Sequence, residues 1–266
     1  VSTQTIVRDR GRLQPAGNTA RIPPMAQEFP TSAELERLHR VVIIGSGFGG
    51  LFAAKALKKA PVQVTIIDKT VQHLFQPLLY QVATGILSQG VIAPPTREIL
   101  NRQRNAEVLL GEVTDVDVEA RTVTHRVGEY VTTTPYDSLI VSAGAGQSYF
   151  GHDEFAEFAP GLKSIDDALE LRGRIYGAFE IAELLDDPEA AEQWPTFVVI
   201  GAGATGVEVA GQIRELSSRA LRHDFRRINP ADAKVILVDA GDQVLASFGE
   251  GLGERRATAA AHAVGA

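Results

Sequence analysis

The chain has 266 residues, a formal net charge of −7 and no cysteine, with an ordinary 44% share of hydrophobic residues. That length holds about two domains with sizeable cores. The acidic balance argues against a non-specific nucleic-acid binder, and the missing thiols exclude disulfides, thiolate metal sites and any redox-active dithiol. No run of about eighteen apolar residues encodes a transmembrane helix, and residues 1–40 lack the apolar region of a signal peptide.

Residues 1–40 are polar and proline-bearing and read as a mobile extension, with Thr31 or Ser32 placed to cap a short helix in TSAELERLHR. The chain opens on Val1 and its single methionine is Met25, so a start at Met25 is one reading of this leader. The first regular unit runs from Val41 to Asp68, VVIIGSGFGGLFAAKALKKAPVQVTIID. Val41–Ile44 suits a strand buried on both faces of a parallel sheet. Gly45, Gly47 and Gly50 follow as G-x-G-x-x-G: the first permits a tight turn, the second lets backbone approach a pyrophosphate, and the third lets the helix pack on the strand. Phe52, Ala53, Ala56 and Leu57 set the expected inner face of that helix. Val62–Ile67 is a second strand ending in Asp68, about twenty residues past the glycines, where a carboxylate accepts from a ribose hydroxyl. Phosphate belongs at the helix N-terminus, where unpaired N–H groups and the helix dipole point.

HLFQPLLYQVATG, His73–Gly85, allows two readings: a loop and short helix packed on the sheet, or a partly apolar wall over a planar ring. Glu107–Val127 alternates like antiparallel strands with a turn at Glu119–Arg121, the insertion found in flavin-binding domains of the glutathione-reductase type. Tyr136–Gly146 is a further buried strand. Its small residues, Ala143 and Gly144 among them, either admit a ligand to the backbone or form a close-packed turn. Leu162–Asp187 is helical, capped by Ser164 with Asp166 and Asp167 in its first turn, with Ile165, Leu169, Ile175, Phe179 and Leu184 expected on one face. Asp187-Pro188 and Trp194-Pro195 break it. Phe197–Ile200 is then a second buried strand that starts a second unit, with Gly201, Gly203 and Gly206, a helix from VEVAGQIREL, and a strand Val235–Val238 ending in Asp239. Two such fingerprints a domain apart point to two dinucleotide ligands, a flavin in one and a nicotinamide cofactor in the other. Asp239 selects NADH over NADPH, because a carboxylate bonds a free 2′-hydroxyl and repels a 2′-phosphate.

The segments VVIIGSGFGGLFAAKAL, TIIDK, HLFQPLLYQVATGILS, LLGEVTDVD, TPYDSLIVSAGA, SIDDALELRGRI and FVVIGAGATGVEVAGQI resemble type II NADH dehydrogenase, the NADH:quinone oxidoreductase of the actinobacterial kind. The resemblance covers roughly Arg40 to Leu245. It implies an α/β chain with two Rossmann-like dinucleotide-binding domains of the glutathione-reductase type, both incomplete here. The implied layout is an FAD-binding domain over residues 41–160, a connecting helix over 161–195 and an NADH-binding domain over 196–266. The implied protein is a non-pumping respiratory flavoprotein, peripheral on the cytoplasmic face of the plasma membrane, passing electrons from NADH through FAD to a quinone. Its relatives are expected to be homodimers seated on the membrane by a C-terminal segment not found here. By motif, Gly45, Ser46, Gly47, Phe48 and Gly49 would hold the FAD pyrophosphate, with Gly50 behind them. Asp68 would hold the ribose with Lys69 beside it, and Val113 would meet the adenine through its backbone. Gly201, Gly203, Thr205, Gly206 and Asp239 would hold NADH. Glu208 falls where the family has a carboxylate near nicotinamide, flavin and quinone, and is the catalytic candidate. Its other reading is a glutamate complementing the helix dipole. No metal site is expected.

Family members run longer, and the tail GLGERRATAAAHAVGA lacks the strand expected next, so the chain reads as a fragment with uncovered apolar sheet edges, poor solubility and little quinone reductase activity of its own. The fragment itself, without the membrane-seating segment of its relatives, is expected to be cytoplasmic. Two other functions stay open: a soluble flavin or ferredoxin reductase, and a non-catalytic dinucleotide-binding remnant.

Overall fold

Short apolar strands followed by glycine turns need both faces covered, and the way each is covered organises the fold. A computed structural model of the chain describes residues 38–241 and 243–246. The stretch 1–37, with its expected extension and helix cap, and the alanine-rich tail both lie outside the described residues.

Strand β1 is His39–Ile44, helix α1 Phe48–Ala56 and strand β2 Val62–Asp68. His39 and Arg40, read as part of the extension, open β1. After β2 come the short helices α2 (Leu79–Ala83), α3 (Gln89–Ile92) and α4 (Thr96–Ile99). Strands β3 (Ala106–Leu110), β4 (Glu112–Asp117), β5 (Thr122–Val127), β6 (Tyr130–Pro135) and β7 (Ser138–Val141) follow. Helix α5 is Ile165–Leu184 and α6 Pro188–Gln193. The second unit comprises β8 (Thr196–Ile200), α7 (Ala204–Glu215) and β9 (Lys234–Val238).

The first sheet has the order β3-β2-β1-β7 and is parallel throughout. One face packs on α1 through Val41, Ile43, Val64, Ile66, Leu51 and Ala54. Its other face, Val42, Ile44 and Ile67, packs on Val123 and Tyr136 of the antiparallel β4-β5-β6 sheet and its flank. Arg40 and Asp137 clamp the starts of β1 and β7: Nε and Nη2 of the arginine donate to the carboxylate at 3.2 and 2.9 Å, and the Arg40 N–H donates at 2.8 Å. In the second unit β8 and β9 form a two-stranded parallel sheet. Phe197, Val199 and Leu237 on one face join α5 and α7 in a core around Phe179 and Ile213.

Several local expectations need correction. The strands read as buried at Tyr136–Gly146 and Phe197–Ile200 are only part-covered: β7 leaves Val141 exposed and β8 leaves Val198 and Ile200 exposed, because apolar composition marks a strand without saying what packs on each face. The run Glu107–Val127 is not one antiparallel system. Ala106–Leu110 pairs parallel with β2, and the chain changes sheet at Gly111, whose N–H donates to the Asp68 carbonyl at 2.8 Å. The antiparallel layer is completed by β6, which alternation in the sequence did not reveal because its side chains are mostly exposed. In α1 the buried residues are Gly50, Leu51 and Ala54, while Phe52 and Ala56 face solvent, since the helix starts at Phe48 and the close approach at Gly50 sets its rotation. In α5 the inner face is Ile165, Ala168, Ile175, Ala178, Phe179 and Ala182, with Leu169 and Leu184 exposed. The Ser164 cap holds: Ser164 Oγ accepts from the Asp167 N–H at 3.2 Å, and the Asp167 carboxylate accepts from the Ser164 N–H at 2.8 Å, a capping box.

Candidate functional site

Each strand-to-helix turn is built from the same contacts. Gly45 takes φ +96° and Gly201 φ +102°, a region closed to most side chains. Their N–H groups donate to Ile67 and Val238 carbonyls at 2.8 and 2.7 Å, which ties each turn to the end of the neighbouring strand. A Cβ on Gly50 would collide with the Gly45 carbonyl, and one on Gly206 with the Gly201 carbonyl, so both helices lie as close to their strands as backbone permits. Gly47 and Gly203 differ from these. A Cβ there would meet nothing within 4 Å, so each turn presents an open side to whatever approaches the helix N-terminus.

The acids complete each turn in the same way. Asp68 accepts from the Ser46 N–H at 2.5 Å, and from the N–H and hydroxyl of Thr70 at 2.7 and 2.8 Å. Asp239 accepts from the Ala202 N–H at 2.6 Å and the Gly241 N–H at 2.7 Å. Those two donors hold the Asp239 carboxyl below the usual carboxylate range. A carboxylate offers about four acceptor positions, so both acids keep capacity for a ribose hydroxyl. Lys69 and Thr205 are exposed, as are Ala143 and Gly144 at the end of β7. Gly144 has φ +75° and a Cβ there would meet nothing within 4 Å, while the backbone of Ser142 and Ala143 just before it lies close against Gly45. Val113 lies in β4 opposite His125, beside the irregularity in register between Val113 and Asp115.

The segment His73–Gly85 shows the packed loop and short helix. Leu79, Val82 and Ala83 are fully buried against Ile92, Ile165 and Ala168, while Phe75 stays exposed, edge-on to Phe48 at 5.4 Å. Helix α2 packs on both α5 and α7, and Tyr176 of α5 donates its hydroxyl to the Thr84 carbonyl at 3.1 Å. The segment therefore joins the first unit to the second.

Glu208 is the fifth residue of α7, beyond its first turn, which weakens the helix-dipole reading. Its side chain is exposed, but partial removal from water around the carboxyl raises its pKa above the usual range.

Sequence reasoning missed the side chains that hold the first turn from behind. His73 Nδ1 lies 2.8 Å from the Ser46 carbonyl, Thr96 Oγ1 donates to Ser46 Oγ at 3.2 Å, and Ser142 Oγ donates to the Ile44 carbonyl at 2.9 Å. None has a fixed spacing from the glycines; the one available signal was a histidine set among apolar residues just after β2. Among the described residues no group of three or more histidine, aspartate or glutamate side chains could hold a metal ion, and no helix is long and apolar enough to cross a membrane.

The family model "pyridine nucleotide-disulphide oxidoreductase" matches residues 39–264. The chain is 66% identical over 215 residues to the type II NADH:quinone oxidoreductase NdhA of Mycobacterium tuberculosis, covering 81% of this chain and 46% of that protein. It is 61% identical over 231 residues to the type II NADH:quinone oxidoreductase Ndh of the same organism, covering 87% and 50%. The chain thus spans about half the length of the curated relatives it matches. In fold it is similar to NDH2 from Plasmodium falciparum, solved in complex with NADH, with a TM-score of 0.79 at 24% identity, over 86% of this chain and 47% of that one.

Proposed function

The chain belongs to the pyridine nucleotide-disulphide oxidoreductase family, and from that premise we propose that it forms the FAD- and NADH-binding part of a non-proton-pumping NADH:quinone oxidoreductase. The observation that carries this reading is the repeated turn, open at Gly47 and again at Gly203, each with its acid bonded behind it. The similarity to the two mycobacterial NADH:quinone oxidoreductases supports the choice of quinone as acceptor. With no cysteine in the chain, the dithiol relay of the wider family is not available to its residues.

In this reading residues 41–160 hold FAD, 161–195 connect, and 196–266 hold NADH. The residues fit both groups. Gly45–Gly50 cradle the FAD pyrophosphate, Asp68 takes its ribose with Lys69 alongside, Val113 meets the adenine, and Ala143 and Gly144 border the isoalloxazine side. Gly201, Gly203, Thr205 and Gly206 receive the NADH pyrophosphate. Asp239, kept ionised by its two N–H donors, accepts from the ribose and repels a 2′-phosphate. FAD, when bound, supplies the two-electron relay between NADH and quinone. Glu208, whose carboxyl holds its proton to higher pH than an ordinary glutamate, serves proton transfer at the site where quinone is reduced. The working protein lies on the cytoplasmic face of the plasma membrane as a homodimer.

Reconstitution tests the reading. The purified chain, mixed with FAD and passed through gel filtration, should keep flavin absorbance that NADH bleaches anaerobically. Loss of all flavin on the column would sink the proposal. Glu208→Gln should retain flavin while losing about a hundredfold of any NADH:menadione turnover, and the high-pH limb of the rate profile should flatten. Unchanged turnover would remove Glu208 from the chemistry.

A further inference from the structure

The two turns differ in what holds the carbonyl after the first glycine. In the second unit the Ala202 carbonyl accepts a backbone N–H, that of Leu245, at 2.8 Å. In the first unit the corresponding Ser46 carbonyl accepts instead from His73 Nδ1 at 2.8 Å. A carbonyl oxygen can only accept, so Nδ1 carries the hydrogen and the tautomer is set by this bond. His73 is buried, with its ring at 86° to that of Phe48 and 5.4 Å away. Ser46 is also buried, its N–H bonded to Asp68 and its hydroxyl to Thr96. Every polar atom of Ser46 thus has a partner from another part of the chain.

We propose that His73 is a positioning residue of the first nucleotide site, aiming the Gly47 N–H at the cofactor's phosphate by holding the Ser46 carbonyl on the opposite side. The proposal rests on the reading of that site as one for FAD. Its physical basis is the planar trans peptide, in which the carbonyl of one residue and the N–H of the next point in opposite directions. With the Ser46 carbonyl turned to the imidazole, the Gly47 N–H points the opposite way, and Gly47 itself is uncrowded, since a Cβ there would meet nothing within 4 Å. Without the imidazole donor, the peptide between Ser46 and Gly47 is free to rotate, because a buried carbonyl left without a partner is unfavourable and seeks another. Leu245 performs the same task in the second unit with a main-chain donor, so the device is common to both turns while a replaceable side chain serves only the first.

The experiment compares the unaltered chain with His73→Leu, which fills similar space but donates nothing, and with His73→Asn, whose amide nitrogen reaches the place of Nδ1. FAD affinity is read by quenching of flavin fluorescence, the Gly47 amide by its nitrogen–proton NMR signal without cofactor, and folding by the thermal midpoint. His73→Leu should weaken FAD binding about tenfold to a hundredfold, the range expected when a buried acceptor loses its donor. It should also displace the Gly47 signal, and His73→Asn should restore both to near the unaltered values. Equal loss in the two variants in step with thermal stability would make His73 a packing residue and overturn the proposal, as would an unmoved Gly47 signal in a folded His73→Leu chain. If the unaltered chain fails to bind FAD, the functional reading falls and the inference with it. If it binds FAD and both variants bind equally well, only the inference falls.

Discussion

The first and second βαβ units share the main-chain pattern of the turn, from the positive-φ glycine to the acid behind it, and differ in what covers their sheets. Val42 and Ile44 of β1 are 1% and 8% exposed beneath the antiparallel layer, while Val198 and Ile200, which precede the second turn in the same way, are 57% and 63% exposed. Ile236 and Val238 on β9 share that open face. The difference teaches that the nucleotide turn is a local device. It needs a glycine with positive φ, a close helix and an acid at the end of the next strand, and it forms whether or not the far face of the sheet is covered. Stability is another matter, because it depends on area removed from water.

The most direct way to break this comparison is a pair of truncations. Ile44→Ala should cost about 2–5 kcal/mol in urea unfolding, as for a buried isoleucine, whereas Ile200→Ala should stay within about 0.5 kcal/mol. Equal costs would mean that the face of β8 and β9 is covered in solution. Next in size is the helix approach. Gly50→Ala should cost about 1–3 kcal/mol, the usual range for overpacking, because α1 is wedged against a sheet held from both sides. Gly206→Ala meets the same carbonyl contact, but its two-stranded sheet has a free face and can yield, so its cost should be smaller. An equal penalty would show that cover plays no part in fixing the helix.

The smallest expected effect concerns acid. Hydrogen bonding from the Arg40 side chain, then from its N–H, holds the Asp137 carboxyl far below the usual carboxylate range. A carboxyl depressed by folding stabilises above its unfolded pKa, about 3.9, and that contribution is lost as pH falls below it. Among the described residues no ion pair ties β8 to β9. Asp137→Asn should therefore flatten the decline of the urea midpoint below about pH 4, while leaving the acid response of the second unit unchanged.

Both turns, both acids and the Ser164 cap were legible because each depends on residues close together in the chain: a glycine that must take positive φ, a hydroxyl three residues from the N–H it caps, a carboxylate ending a strand. The alternation of Glu107–Val127 announced strands but not their partners. Only the tertiary structure decided that Ala106–Leu110 runs parallel beside β2, since strand pairing is settled by which edge lies within reach once Gly111 has bent the chain away.

Three things about this protein were determined by its amino-acid order alone: two nucleotide-type turns, the acid after each, and the absence of any thiol. What folding in three dimensions decided is which faces are covered, that Phe52 looks outward while Leu51 looks in, and that His73 and Thr96 hold Ser46 from behind. The reason is physical. Turn geometry follows from the dihedral limits of a few neighbouring residues, whereas burial and long-range hydrogen bonds exist only between surfaces that the whole fold brings together.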